Sequence, residues 1–515
     1  MLTCAIISLG CPKNLVDSEQ MLGLLEQHSF QPTYDVEDAD VVIINTCGFL
    51  AASREEGMEN IREMEELRLA PTSPLRCLIV AGCLVTRDKE ELVENCPGVD
   101  AFLDVFSRDN VLDAVAKIFP DEVRESAKNT DGNTCKNGNA DENGEKGAEI
   151  AENIGNLQLP IYEKTEPLRE TYYERTPGIA SDPYRFPLLP PHIAYLKIAE
   201  GCNRRCAFCA IPNIRGKYTS KPMVEIVAEA RKLAENGVKE LILIAQDTSF
   251  YGMDLRNADG TPTEDTLANL LRLLNDVEGI HWIRVLYLYP QNFGEDLIRA
   301  LAEVPKVVPY VDMPLQHIND RVLKNMRRAA GREETLSLLV RLRERIPNLT
   351  IRTAFIAGFP GETKSEFEEL LAFLRKQRFE HVAVFQFSPE EGTPAAEMAQ
   401  QVPEKVSLKR TNDLILTQKR ISAEWTRKLV GQTLEILIDM ETSEPGTWVG
   451  HGPFGAPEID GNIYVSVDED MDENGEISEN GEIGAGLEVG AFYMCEIVGG
   501  DEYDLFAVPV KKVEL

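Results

Sequence analysis

No apolar run in the 515 residues approaches the roughly 18 positions of a membrane-spanning helix, which excludes a helical membrane protein. Met1 to Cys11 carries a short apolar run without a basic leader or a cleavage-site pattern, so a soluble, untargeted protein is expected. Basic residues are scarce, 53 Lys and Arg against 86 Asp and Glu, and the formal charge is -33. A chain this acidic repels a phosphate backbone unless it carries a local basic patch, whereas a basic protein partner suits it. The 11 cysteines lack the spacing of a small secreted disulfide scaffold, and they gather in motifs that need free thiolates. A reducing cytoplasm follows.

What is present suggests about three domains, with 43% hydrophobic residues to fill their cores. The chain is organised around one loop, Gly201-Cys202-Asn203-Arg204-Arg205-Cys206-Ala207-Phe208-Cys209, entered from an apolar run, Ile193 to Ala199. No fourth cysteine follows nearby. A structural zinc site closes a tetrahedron with four ligands, usually two separated pairs, so this trio suits it poorly. An iron-sulfur cluster suits it better, because three thiolates on a cubane leave one iron open to bind something else. A redox or zinc knot is the alternative.

Ahead of that loop, strands and helices alternate. Thr3 to Leu9, Val41 to Asn45 and Leu78 to Ala81 read as buried strands, with helices at Asn14 to His28 and Ser53 to Leu69. This is a parallel α/β pattern. Each strand runs into a cysteine with a glycine beside it: Gly10-Cys11, Cys47-Gly48 and Gly82-Cys83. In open parallel sheets the ligand crevice lies at the carboxyl ends of the strands, so the three thiols should converge. The alternative is that cysteine, a commonly buried residue, packs at strand ends. Cys4 and Cys77, inside strands, and Cys96, before Pro97, read as core thiols.

The C-x3-C-x2-C spacing with Phe208 before Cys209 resembles the radical S-adenosylmethionine (SAM) superfamily. The resemblance implies that Cys202, Cys206 and Cys209 hold a 4Fe-4S cluster whose open iron binds SAM. An electron from that cluster would then split SAM into methionine and a 5'-deoxyadenosyl radical. Two three-cysteine sites in this order, with the phrase Ser8-Leu9-Gly10-Cys11-Pro12-Lys13-Asn14-Leu15-Val16-Asp17-Ser18-Glu19, resemble the methylthiotransferases over most of the chain. Within that family the phrase is similar to the branch that modifies an aspartate of small-subunit ribosomal protein S12, not the tRNA-modifying branch. It implies a second, auxiliary 4Fe-4S cluster on Cys11, Cys47 and Cys83. The radical would take hydrogen from the aspartate β-carbon, and a methylated sulfur from the auxiliary cluster would be transferred there. One SAM supplies the methyl group and another the radical, and flavodoxin or ferredoxin is the expected type of electron donor. An unactivated C-H bond has no acidic proton for a side-chain base, so the cofactor does the hard step and no protein acid or base is assigned.

From about Glu125 to Gln158 the composition turns to Asn, Gly, Glu, Asp and Lys, which cannot bury enough apolar area to offset ordering entropy. A disordered insertion is expected, and Cys135 within it is no ligand. Six further strand candidates follow: Ile193 to Ala199, Glu240 to Ala245, Ile283 to Leu288, Val308 to Asp312, Ile351 to Ala357 and His381 to Phe387. With helices between them they predict an open, partial TIM-like barrel of six βα units. Its strand ends carry Gln246-Asp247-Thr248, Gln316-His317, Gly358 to Glu362 and Ser388 to Pro394, which the resemblance implies as SAM contacts. His317 alone reads as a structural hydrogen-bonding residue.

After a helix ending near Leu429, strands at Thr433 to Asp439, Ile463 to Val467, Ala491 to Val498 and Tyr503 to Val508 predict a small β-barrel, similar to the OB-like TRAM module. Residues 431–515 hold 20 Asp and Glu, two Lys and no Arg. That argues against phosphate binding and for a basic protein. The expected domains are therefore 1–124 for the auxiliary cluster, 125–190 as insertion and linker, 191–430 as radical SAM core and 431–515 as barrel. Two rival readings are a tRNA methylthiotransferase and a non-enzymatic iron-sulfur protein that carries electrons or binds the ribosome.

Overall fold

The computed structural model describes residues 2–121, 123, 169–173, 184–467 and 486–514; Cys135, the low-complexity stretch and the acidic loop Asp468 to Glu482 lie outside them. The chain forms two compact units: residues 1–188 with 200–203 and 210–219, and residues 189–199 with 204–209 and 220–515.

The first unit is built on a parallel sheet of six strands: β1 (Thr3–Ser8), β2 (Gln31–Pro32), β3 (Val41–Thr46), β4 (Cys77–Gly82), β5 (Ala101–Leu103) and β6 (Glu170–Tyr172). Their order is β2-β1-β3-β4-β5-β6. Val41 to Ile44 and Cys77 to Val80 are wholly buried, as expected of a parallel strand covered on both faces. The period of two then splits the core. Cys4, Ile43, Cys77, Ile79 and Leu103 pack on one side, and Ala5, Val42, Ile44, Leu78, Val80 and Phe102 on the other. Cys4 and Cys77 thus serve the core, and burial pushes the Cys4 thiol up to about 12 and Cys77 well up. Cys96 is likewise buried, its thiol at about 11. The helices are α1 (Pro12–Gln27), α2 (Ala51–Leu69), α3 (Cys83–Asn95) and α4 (Val111–Ala116).

In the second unit all six predicted central strands form: β7 (Ile193–Lys197), β8 (Glu240–Ile244), β9 (Trp282–Val285), β10 (Tyr310–Asp312), β11 (Thr350–Ala357) and β12 (His381–Gln386). β7-β8-β9 and β10-β11-β12 are parallel trios. Val308 N donates to Ile283 O (3.0 Å) and Leu288 N to Asp312 O (2.9 Å), which joins the trios into one curved row. Five carboxyl-terminal strands, β13 (Thr433–Glu441), β14 (Thr447–His451), β15 (Ile463–Ser466), β16 (Phe492–Gly500) and β17 (Leu505–Lys512), close a barrel around Ile436, Ile438, Val465 and Cys495.

That barrel docks on the amino-terminal ends of the central strands through buried charge. Glu240, the first residue of β8, accepts from Arg284 Nε (2.7 Å) and from His451 Nε2 (2.5 Å). Asp439 binds His451 Nδ1 (2.7 Å) and His192 Nε2 (3.0 Å), and Arg284 also donates to the carbonyls of Gly452 and Pro453 at 3.1 Å each. Beside this network Tyr310 donates to Asp460 (2.6 Å), which also faces Arg352 (3.4 Å) and His381 (3.6 Å). Burial opposes charge on His451, but Asp439 and Glu240 raise its pKa to about 9.

Candidate active site

Cys11, Cys47 and Cys83 follow β1, β3 and β4, three adjacent strands, at their carboxyl ends. The strand order reverses between β1 and β3, which is where such sheets open a ligand crevice. Two of the thiols also sit at helix starts, Cys11 as the residue capping α1 and Cys83 as the first residue of α3, and a helix amino terminus favours a negative sulfur. The three cysteines thus stand at one edge of the sheet, near enough to act on one another electrostatically. The backbone at Gly10 approaches Cys47 so closely that a Cβ there would lie 2.8 Å from Cys47 Cβ, and one at Gly48 would lie 2.6 Å from the Cys83 carbonyl. Burial raises Cys47, and neighbouring Cys11 raises it further. Burial also lifts Cys83, to about 11, with Arg215 opposing and the other two thiols adding to the rise.

Asn14 ties these ends together, and the sequence reading assigned it no role. Its Nδ2 donates to Leu9 O (3.0 Å), just before Cys11, and to Thr46 O (2.9 Å), just before Cys47. Its Oδ1 accepts from Cys83 Sγ (3.6 Å). Arg87 holds the Cys47 loop from outside, donating to Gly48 O (2.8 Å). Arg215 enters the site from the segment after the Cys202 loop and is buried, with only 1% of its surface exposed. The phrase Ser8 to Glu19 stands out in the sequence as a motif. The usable signal was that so many polar residues occupy one helix start, and Lys13, Asn14, Asp17, Ser18 and Glu19 are all buried there.

Because Gly10 has φ +99°, alanine is strained there by about 1–3 kcal/mol and pushes against Cys47. Gly10→Ala should lower the melting temperature of the unit that holds it and the iron bound after anaerobic reconstitution. A variant with unchanged iron and melting would contradict this account of the site.

The loop's cysteines are divided between the units. Cys202, in the first, donates its backbone N–H to Gly216 O (3.1 Å). Cys206 and Cys209 belong to the second, where Ala207 N bonds Met326 O (2.9 Å) and Ala395 N bonds Ala207 O (2.8 Å), anchoring the loop to the core around Met326 and Phe359. Arg204 pairs with Asp247 at 2.7 Å, and the Arg204 and Arg328 guanidinium carbons lie 4.1 and 4.0 Å from the Tyr289 ring centre. His317 is buried against Glu362 (3.2 Å), and that carboxylate also takes Gly358 N and Arg410 Nη1 at 2.7 Å each. The structural reading of His317 therefore holds, and Gly358 to Glu362 is a built turn.

Three family models match the chain: the uncharacterized protein family UPF0004 over residues 3–104, the radical SAM superfamily over 196–374 and the TRAM domain over 430–510. Among curated relatives, a protein of Desulforamulus reducens is 38% identical over 90% of this chain and 93% of its own. One of Bdellovibrio bacteriovorus is 41% identical over 89% and 91%, and one of Opitutus terrae 38% over 99% and 97%. Each bears the name ribosomal protein uS12 methylthiotransferase RimO.

Proposed function

We infer the activity from the premise that this chain belongs to the ribosomal protein uS12 methylthiotransferases, the RimO family. It is a radical SAM transferase that adds a methylthio group to the β-carbon of an aspartate in protein uS12. The observation that carries the reading is the convergence of Cys11, Cys47 and Cys83 at adjacent strand ends in a chain that also holds the Cys202 loop. Thiolates are the usual ligands of iron-sulfur clusters, and the close backbone at Gly10 and Gly48 with the buried Arg215 cation suits a bulky anionic group. Among the described residues no three His, Cys, Asp or Glu close on a single ion. A cubane asks for no such closure, because each ligand meets a different iron.

Cys11, Cys47 and Cys83 would hold the auxiliary 4Fe-4S cluster, and Cys202, Cys206 and Cys209 the cluster that binds SAM. When bound, the two clusters supply the reducing electron and the sulfur-bearing site. The chain's own part is to fix the thiols by the Asn14 bonds, balance their charge with Arg215 and seat SAM beside the strand ends that include Asp247 and the Gly358 turn. The electron comes from a low-potential carrier of the flavodoxin or ferredoxin type. A ribosomal substrate and reduced thiolates put the enzyme in the cytoplasm, and no helix among the described residues is long and apolar enough to cross a membrane.

Acidity selects the substrate class. Even without the acidic loop, the barrel holds 12 Asp and Glu against Lys511 and Lys512. Docked at the amino ends of the central strands, it draws a basic protein by long-range attraction. Reconstituted protein with SAM and dithionite, offered small ribosomal subunits or bulk tRNA and read by mass spectrometry, should add one methylthio group to uS12 and none to tRNA. Modified tRNA with untouched uS12 would refute the substrate.

A further inference from the structure

Arg215 lies six positions beyond Cys209, at the end of a short helix, Ile211–Ile214, whose Ala210 and Ile214 flank pack with Cys83 and Val105. Its guanidinium is fully committed. Nε donates to Cys83 Sγ (3.3 Å), Nη1 to both oxygens of Glu200 (2.9 and 3.0 Å), and Nη2 to Asn14 Oδ1 (2.5 Å) and Asp17 (3.1 Å). Arg108 faces Asp17 from the other side at 3.6 Å. Two carboxylates and two guanidinia thus meet beside the thiol. As a neutral thiol, Cys83 can donate to Asn14; as a thiolate it can only accept, and Arg215 supplies the donor.

We propose that Arg215 is a positioning residue that sets the reduction potential of the auxiliary cluster through its Nε–H bond to the Cys83 sulfur. The proposal rests on the reading of Cys11, Cys47 and Cys83 as ligands. Adding an electron to a cluster increases negative charge on its sulfurs, so a buried cationic donor stabilises the reduced form more than the oxidised one. Glu200 and Asp17 hold the guanidinium in place, so the bond is made without side-chain ordering at the moment of electron transfer. Their task is to keep one donor aimed at one acceptor.

The test uses the full chain carrying Cys202→Ala, Cys206→Ala and Cys209→Ala, so that a single cluster is loaded. Iron content and the reduced-cluster paramagnetic resonance signal are followed through an anaerobic potential titration, with and without Arg215→Lys. Lysine keeps the charge near Glu200 and Asp17 but lacks the Nε–H donor. The expected result is unchanged iron with about a tenfold smaller reduced-to-oxidised ratio at fixed potential, a downward shift of about 59 mV for one electron. If Arg215→Lys loses iron, the charge-compensated pair Arg215→Met with Glu200→Gln is titrated instead, and the same shift is expected. An unmoved potential with iron retained, in whichever variant is read, overturns the proposal and leaves the ligand assignment standing. Absence of iron from the parent triple variant overturns the ligand assignment, and the proposal falls with it.

Discussion

Replacing Cys202, Cys206 and Cys209 together by alanine abolishes deoxyadenosine formation, whereas the same change at Cys11, Cys47 and Cys83 leaves it measurable and abolishes methylthio transfer. The two trios come from different parts of the chain. One is a single loop, and the other gathers the ends of three strands. On the proposed assignment SAM cleavage needs only the cluster with the open iron, so the strand-end thiols are expected to be dispensable for it and required for delivery of sulfur. Bound iron should fall from about eight to about four atoms per chain in either triple variant, as two cubanes require. Cys83 also packs with Val105 and Ile214, so circular dichroism must accompany the assay. Loss of deoxyadenosine in the strand-end variant with the fold intact would show that the two sites do not act separately.

Glu240→Ala should cost the second unit about 3–5 kcal/mol, the usual result of removing one member of a buried ion network. Glu240, Arg284 and His451 are each 3% exposed or less, so both cations lose their shared partner without gaining water. Denaturant melting of that unit at pH 7 measures the cost, and a change below about 1 kcal/mol would mean that the network is not what holds the barrel. The pH dependence has a definite sign. His451 titrates near 9 when folded against 6.5 when free, so its contribution is complete below about pH 6.5 and disappears as pH rises through 9. Burial favours the neutral form of Glu240 and Asp439, yet Arg284 with His451, and His451 with His192, lower them. Their contribution is present above the ordinary carboxylate range and lost as pH falls through the lowered values. Stability in the wild-type unit should therefore decline between pH 7 and 9.5, and Glu240→Ala should flatten that decline.

Strands built from long apolar runs were legible. Val41 to Ile44 and Leu78 to Val80 declare themselves because burial on both faces demands continuous β-branched and aliphatic residues. Strands of two or three residues, Gln31–Pro32 and Ala101–Leu103, are too short to show a period. Thr447–His451 is hard to read because its apolar pattern stops after Val449 at Gly450 and His451, and that histidine belongs to the docking network. The cysteines could be found because strand end, glycine and thiol recur three times. Asn14, Glu200 and Arg215 could not, since nothing local couples positions so far apart, and polar residues opening a helix look like a solvated face. Likewise Glu240 and Arg284 read as ordinary strand charges until the barrel lies over them.

The return of residues 200–203 and 210–219 to the first unit bears on how the chain matures during synthesis. Domains usually fold in the order in which they leave the ribosome. Here the amino-terminal sheet can form early, but Asp17 and Asn14 then face a vacant guanidinium position until residue 215 has been made. By that time the first strand of the central row has also emerged. The amino-terminal unit therefore cannot reach its finished state as an autonomous early product, and its completion waits on the segment that follows the Cys202 loop.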